Sequence, residues 1–345
     1  MLQLDTLIRR LCQGPRDVVG FETLKGDASS RRYHRVVLAP GVPPERLIVM
    51  ELPADALQSD EATAGGPPRE LPFLNVCRHL AAAGVRVPEV YLDAVADGAV
   101  LLEDLGDETF ARRIAEVGGG GMEAWYGAAV DLLAGLHAAM WPIPAGCEAA
   151  RREFDVALLR WELDHYREWG AEALLGPLDP VRRARLDAAF DTLAVEIAQL
   201  PRGFVHRDYQ SRNLMVTGDA PLPASLAVID FQDALAGPRV YDLVALLNDS
   251  YVDVPFDLQR RIIARYAARR DLDAAALARE FDLVTVQRKL KDGGRFVFID
   301  RVRGNPAFLP FVDVSFSRVR AALGRLEGHG PLKAALAAAD PERFG

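Results

Sequence analysis

A chain of 345 residues, half of them hydrophobic, can bury a large core and is long enough for two domains or one two-lobed unit. Its net charge of -8, without a basic stripe, excludes a nucleic-acid partner recruited by counterion release. No apolar run reaches the roughly 20 residues that span a bilayer, so no membrane partner is expected. The three cysteines, Cys12, Cys77 and Cys147, are odd in number and far apart. They suit a reducing cytoplasm, as does an amino terminus without signal-peptide features.

Leu4, Leu7, Ile8 and Leu11 recur at the spacing of an amphipathic helix, closed by Gly14 and Pro15. The pattern then changes to short extended pieces, Val18 to Leu24, Arg32 to Leu38 and Arg46 to Leu52, which predict three antiparallel strands. The turn Lys25 to Ser29 is small and polar. It would let backbone N–H groups approach a phosphate, with Lys25, Arg31 and Arg32 beside it. Pro53 to Arg69 reads as a mobile surface loop.

A helix is expected from Glu70 to Ala83, then strands from Glu89 to Ala94 and Ala99 to Glu103 with a tight turn at Asp97-Gly98. The segment Leu102-Glu103-Asp104-Leu105-Gly106 lies where the strands give way to helices. A lobe boundary belongs there, dividing 1–104 from 105–345, and its backbone could pair with an adenine edge. The fold class is therefore α+β, with a small antiparallel-sheet amino-terminal lobe and a mostly helical carboxy-terminal lobe.

In the second lobe, Gly118 to Gly121 reads as a flexible tip before an apolar helix from Trp125 to Met140. His137 on that helix has no second His or Cys near it, so a core role is expected rather than a metal site. Phe154 to Trp169 predicts a helix whose charges form a solvated face, with Arg160 or Glu162 turned toward substrate as the alternative, and Val181 to Leu200 predicts another. Further helices are expected near 242–251, 256–270, 274–279, 281–291 and 311–327.

Phe204 to Asp242 carries the chemistry. Two apolar runs, Leu214 to Val216 and Leu226 to Ile229, flank a turn with Gly218, Pro221 and Pro223, which predicts a β-hairpin with polar groups at its ends. Asp208 lies five residues before Asn213, and Ile229-Asp230-Phe231 follows the hairpin. Phosphoryl transfer from ATP needs this spacing: Asp208 to accept a proton from the attacking hydroxyl, Asn213 and Asp230 to offer hard oxygens to Mg²⁺. Asp242, at the start of the apolar stretch Tyr-Asp-Leu-Val-Ala-Leu-Leu, would cap a helix, brace the loop through hydrogen bonds, or do both.

The segments His206-Arg-Asp…Asn213 and Ile229-Asp-Phe resemble the aminoglycoside phosphotransferase and choline kinase superfamily, whose fold is similar to protein kinases. Stretches 26–35, 47–53, 101–106, 154–163, 205–216, 228–247 and 286–291 are similar to one branch, the bacterial anomeric kinases of N-acetylmuramate and N-acetylglucosamine. The resemblance implies a protein-kinase-like two-lobed fold with ATP and Mg²⁺ as cofactors, and an amino sugar phosphorylated in cell-wall recycling. It implies Asp208 as catalytic base, Asn213 and Asp230 as metal ligands, and Leu102 to Leu105, including Glu103 and Leu105, as the adenine hinge. Sugar contacts would come from Tyr209, Gln232, Asp233, Arg239, Arg288 and Lys291. An aminoglycoside, choline or another alcohol remains open as acceptor, as does a non-catalytic nucleotide-binding role. The third strand departs from the pattern, with Met50 where kinase-like folds place a phosphate-binding Lys; Lys25, Arg31, Arg32 and Arg35 are the nearby cations.

Overall fold

The amino-terminal sheet orders its strands β1-β2-β3-β5-β4, every pair antiparallel: β1 (Val18–Leu24), β2 (Arg32–Leu38), β3 (Arg46–Glu51), β4 (Val90–Ala94) and β5 (Ala99–Glu103). These details come from a computed structural model, which describes residues 4–24, 31–53, 68–218 and 220–345. Residues 25–30, with Lys25 and the turn expected to cover phosphate, and nearly all of the 53–69 loop lie outside them.

Alternation along the strands gives the sheet two different faces. Val36, Leu38, Leu47, Val49, Ala99 and Leu101 bury against Leu7 and Ile8 of α1 (Leu4–Cys12). Met50, Val100 and Leu102 point the other way, into the main core with Phe73, Val76 and Leu80 of α2 (Pro72–Ala82). Met50 is fully buried there, opposite Tyr33 on β2 and Val100 on β5.

The remainder is helical. α3 (Phe110–Ala139) is followed by α4 (Val156–His165), a π-helical turn at Tyr166–Glu172, α5 (Ala173–Leu175) and α6 (Pro180–Ala198). After a stretch of short strands come α7 (Tyr241–Leu247), α8 (Phe256–Arg269), α9 (Ala274–Arg303), α10 (Phe311–Arg325), α11 (Gly330–Ala339) and α12 (Pro341–Phe344).

The glycine run is not a tip. α3 bends at Gly118, at φ 59° and ψ −167°, and then runs on through residues 119–121. Its second half is anchored by buried Tyr126, Val130 and Leu133. α9 is one helix of 30 residues where two were expected. It is buried on most sides, so it lacks the single apolar stripe that periodicity detects. Its glycines permit the crossing: a Cβ on Gly294 would meet the carbonyl carbon of His165 at 2.7 Å. α11 and α12 were not anticipated.

Two small ladders fill the stretch between α6 and α7. β6 (Arg202–Val205) pairs with β9 (Leu235–Pro238), and between them in sequence β7 (Leu214–Val216) pairs with β8 (Leu226–Val228) as a hairpin. The loop leaving β6 and the loop returning to β9 therefore emerge side by side. That pairing brings residues 206–213 against residues 229–234.

Candidate active site

The loop after β6 is held from beneath by Asp242. Its two carboxylate oxygens accept the backbone N–H groups of His206 at 2.7 Å and Arg207 at 3.0 Å. His137 Nε2 donates to the same carboxylate at 3.0 Å, and His137 Nδ1 accepts the Tyr266 hydroxyl at 2.7 Å. His137 is thus a satisfied core histidine. Capping by Asp242 is excluded, because Val240 holds the cap position of α7 and no side chain caps it. His206 Nε2 donates to the Ile229 carbonyl at 3.0 Å, tying the two loops together.

Arg207 and Asp230 sit at φ 77° and 65°, the left-handed region that costs a non-glycine residue energy. Side-chain anchors hold the first of them. The Arg207 guanidinium donates to Glu162 at 3.1 Å, Gln287 donates to the other Glu162 oxygen at 2.7 Å, and Phe154 lies under the guanidinium at 5.5 Å. Glu162 is fully buried, not on a solvated face, and it supports the loop instead of reaching the cleft. Farther along, the Ser211 N–H and hydroxyl both donate to Asp249.

These anchors bring the three key side chains together. Asn213 Nδ2 donates to the Asp208 carbonyl at 2.9 Å and to Asp230 Oδ2 at 3.2 Å, while Gln232 Nε2 donates to Asp230 Oδ1 at 2.8 Å. Arg288 of α9 reaches Asp208 Oδ1 at 3.3 Å and donates to the Arg207 carbonyl at 2.7 Å. Burial raises the Asp230 carboxyl above its ordinary range, and the negative charge of Asp208 raises it further. Among the described residues no group of three His, Cys, Asp or Glu forms a protein cage for a metal ion. A carboxylate and an amide oxygen suit Mg²⁺, which keeps most of its shell for water and phosphate oxygens.

The cleft above this site is about 750 Å³, within the usual range for a small-molecule pocket. Arg31, Glu103 and Leu105 line its upper part, and Asp208, Asn213, Asp230, Gln232, Asp233, Arg288 and Lys291 its lower part. Glu103 faces it with a side chain already paired to Arg86. Three expected residues are elsewhere. Arg32 lies on the opposite face of β2 from Tyr33 and Arg35, paired with Glu51 at 3.2 Å, because side chains alternate along a strand. Tyr209 is fully buried, its hydroxyl donating to the Ala129 carbonyl at 2.8 Å. Arg239 forms a two-point pair with Glu280 at 3.0 and 2.7 Å, away from the cleft.

Other lining residues escaped the sequence reading. Leu24, Ile48, Met215 and Ile229 line the cleft with apolar surface, as does Leu102 of the expected hinge. Strand alternation from Tyr33 and its register partners would have found Ile48. Asp292 and Arg295 follow Arg288 at helical spacing, a signal hidden by ending the expected helix at 291. Arg35 lines the cleft but is committed to Asp104 at 2.8 and 3.1 Å and Asp107 at 2.7 Å.

The profile of the phosphotransferase enzyme family, APH, matches residues 20–279. The chain belongs to that family. The chain is similar to the N-acetylmuramate/N-acetylglucosamine kinase of Pseudomonas aeruginosa, 33% identical over 309 residues that cover 87% of this chain and 82% of the relative. The protein of the same name from Neisseria meningitidis is 30% identical over 320 residues, covering 90% and 87%. Among solved structures, a microcompartment-associated aminopropanol kinase superposes with a TM-score of 0.61 at 19% identity, covering 94% of this chain and 98% of that one. Choline kinase from Cryptosporidium parvum gives 0.60 at 12% identity, covering 91% and 92%. The shared fold is that of the kinase-like phosphotransferases, and this member of the APH family is a phosphotransferase with an alcohol group as acceptor. Among the described residues, no helix is long and apolar enough to cross a membrane.

Proposed function

We propose that this protein transfers the γ-phosphoryl of ATP to the anomeric hydroxyl of N-acetylmuramate, N-acetylglucosamine or both, giving a sugar 1-phosphate in cell-wall recycling. The observation that carries the reading is the convergence of Asp208, Asn213 and Asp230 at one end of a cleft roofed by the sheet. The kinases named for these sugars, similar over more than four-fifths of the chain, support the acceptor class. Residues 1–104 are the nucleotide lobe and 105–345 the helical lobe with catalytic loops and acceptor site. The cytoplasm, which supplies ATP and keeps thiols reduced, is the compartment we assign.

Asp208 takes the proton of the sugar hydroxyl as its oxygen bonds to the γ-phosphorus and the bond to the ADP oxygen breaks. Arg288 holds the Asp208 carboxylate in place. Mg²⁺, held by Asn213 and Asp230, would neutralise phosphate charge, and most of the rate comes from such positioning and charge neutralisation. The apolar surface around Leu102 to Leu105 takes the adenine. Arg31, just before β2 and lining the cleft beside Tyr33, replaces the missing strand Lys. Gln232, Asp233, Arg288 and Lys291 face the acceptor.

Incubation with Mg-ATP and a panel of neutral, acidic and cationic acceptors, followed by phosphorus NMR, tests the assignment. A sugar 1-phosphate is expected. Phosphate on another hydroxyl, on a cationic alcohol only, or on no acceptor at all would refute it.

A further inference from the structure

Asp230 holds φ 65°, a conformation that a non-glycine residue keeps only where its surroundings impose it. Asp242, Glu162 and Asp249 hold residues 206, 207 and 211 of the first loop. The second loop, 229–234, has anchors of its own. Ile229 N–H donates to the Asn213 carbonyl at 3.0 Å, and Ala234 N–H donates to the Phe231 carbonyl at 3.1 Å. Phe231 is fully buried and stacks on Phe73 at 5.0 Å, which fixes the backbone on one side of Asp230.

On the other side Gln232 turns back toward Asp230. Its Nε2 donates to Asp230 Oδ1 at 2.8 Å, while Asn213 Nδ2 donates to Asp230 Oδ2 at 3.2 Å. An ionised carboxylate only accepts hydrogen bonds, so the amide nitrogen of Gln232 and not its oxygen faces it. One donor on each oxygen fixes the plane of the carboxylate, and a second lone pair on each oxygen remains for a cation. Gln232 is itself held: its carbonyl accepts Arg152 Nη2 at 2.8 Å, and both side chains are buried. Arg152 precedes α4 in a segment that runs beside β9. There Ala236 N–H donates to the Arg152 carbonyl, and Phe154 N–H donates to the Ala236 carbonyl, both at 2.9 Å. With its backbone pinned in this way, the Arg152 guanidinium reaches the Gln232 carbonyl and lies 3.6 Å from Asp233.

We infer that Gln232 is a positioning residue for the metal site, presetting the Asp230 carboxylate, and that Arg152 acts on the same carboxylate through Gln232. The inference rests on the metal-dependent phosphoryl transfer proposed above, and it gives Gln232 a task separate from contact with the acceptor. A ligand that loses its outer hydrogen-bond partner must be ordered at the expense of binding, and metal affinity typically falls about 10- to 100-fold.

The test is Mn²⁺ binding to the protein saturated with a fluorescent, non-hydrolysable ATP analogue, read by electron paramagnetic resonance without acceptor and without turnover. Gln232→Met keeps the length of the side chain and removes the donor. It should raise the Kd for Mn²⁺ about tenfold or more. Arg152→Met should raise it less, and the double variant should be about as weak as Gln232→Met alone, because the two residues act in series. In steady state, the Mg²⁺ concentration for half-maximal turnover should rise in step, while the KM for the acceptor at saturating metal stays near the parental value. Parental binding of the analogue without metal reports that a variant folds; should Arg152→Met fail that check, Gln232→Met alone decides. A parental Kd for Mn²⁺ in Gln232→Met, or a rise in acceptor KM with metal binding intact, would overturn the inference and leave the kinase standing. Additive losses in the double variant would separate Arg152 from Gln232 and overturn the relay. A parent that binds no Mn²⁺ beside the nucleotide would overturn the metal site and the kinase reading together.

Discussion

Removing the brace under the catalytic loop should cost both stability and turnover. Asp242 is fully buried and accepts three hydrogen bonds, from His206 N–H at 2.7 Å, Arg207 N–H at 3.0 Å and His137 Nε2 at 3.0 Å. Asp242→Ala leaves all three donors without an acceptor in a dry site. At about 1–3 kcal/mol for each orphaned buried group, and with some relaxation, the loss is about 3–6 kcal/mol. That is a large part of a typical stability of about 5–15 kcal/mol. Asp242→Asn preserves the shape but points an amide N–H at one of the donors, and should lose about 2–3 kcal/mol. Urea unfolding, followed by circular dichroism, measures the first effect. Steady-state kinetics measures the second: Asp242→Asn should lower kcat at least tenfold while the KM for ATP changes little, because the brace positions Asp208 and not the nucleotide slot. A urea midpoint and kcat equal to the parent's in both variants would show that the loop is held by something else.

Asp208→Asn should bind nucleotide nearly as the parent does and turn over about 10²- to 10⁴-fold more slowly, the range for loss of a general base; parental turnover in a coupled ADP-release assay would dismiss the assignment. Arg31→Ala should raise the KM for ATP about tenfold through loss of a charged phosphate contact. Arg32→Ala removes only an exposed pair with Glu51, worth at most about 1 kcal/mol, and should leave that KM near the parental value; the reverse order would mean that β2 presents its other face. Burial alone would raise the Asp292 carboxyl, but Lys289, then Arg288 and Lys291, outweigh it and hold the group well below the usual carboxylate range. A depressed carboxyl stabilises the fold above the unfolded value of about 3.9, and that contribution is lost as the pH falls below it. The difference in melting temperature between the parent and Asp292→Asn should therefore be large at neutral pH and shrink toward about pH 3; a constant difference would contradict the linkage.

The grouping of Asp208, Asn213 and Asp230 was legible in the sequence because it is local. The spacing of Asp208, Asn213 and Asp230 about a hairpin is a property of 23 consecutive residues, and the hairpin formed where the apolar runs placed it. The five strands of the amino-terminal sheet were equally plain, since alternation and turn residues act over a few positions. The periphery of the site was not. Tyr209 adjoins Asp208 in sequence yet turns inward to Ala129, and Arg239 directly follows β9 yet turns to Glu280, because a neighbour in sequence shares a backbone and not a direction. Glu162 reads as one more charge on a helix, and only the approach of Arg207 and Gln287 from distant segments makes it buried structure. Composition and spacing decide which groups a short stretch of chain offers. Which of them meet water, one another or a ligand is decided when α4, α7 and α9 pack around the β6 loop, since long-range packing chooses the face that each residue presents.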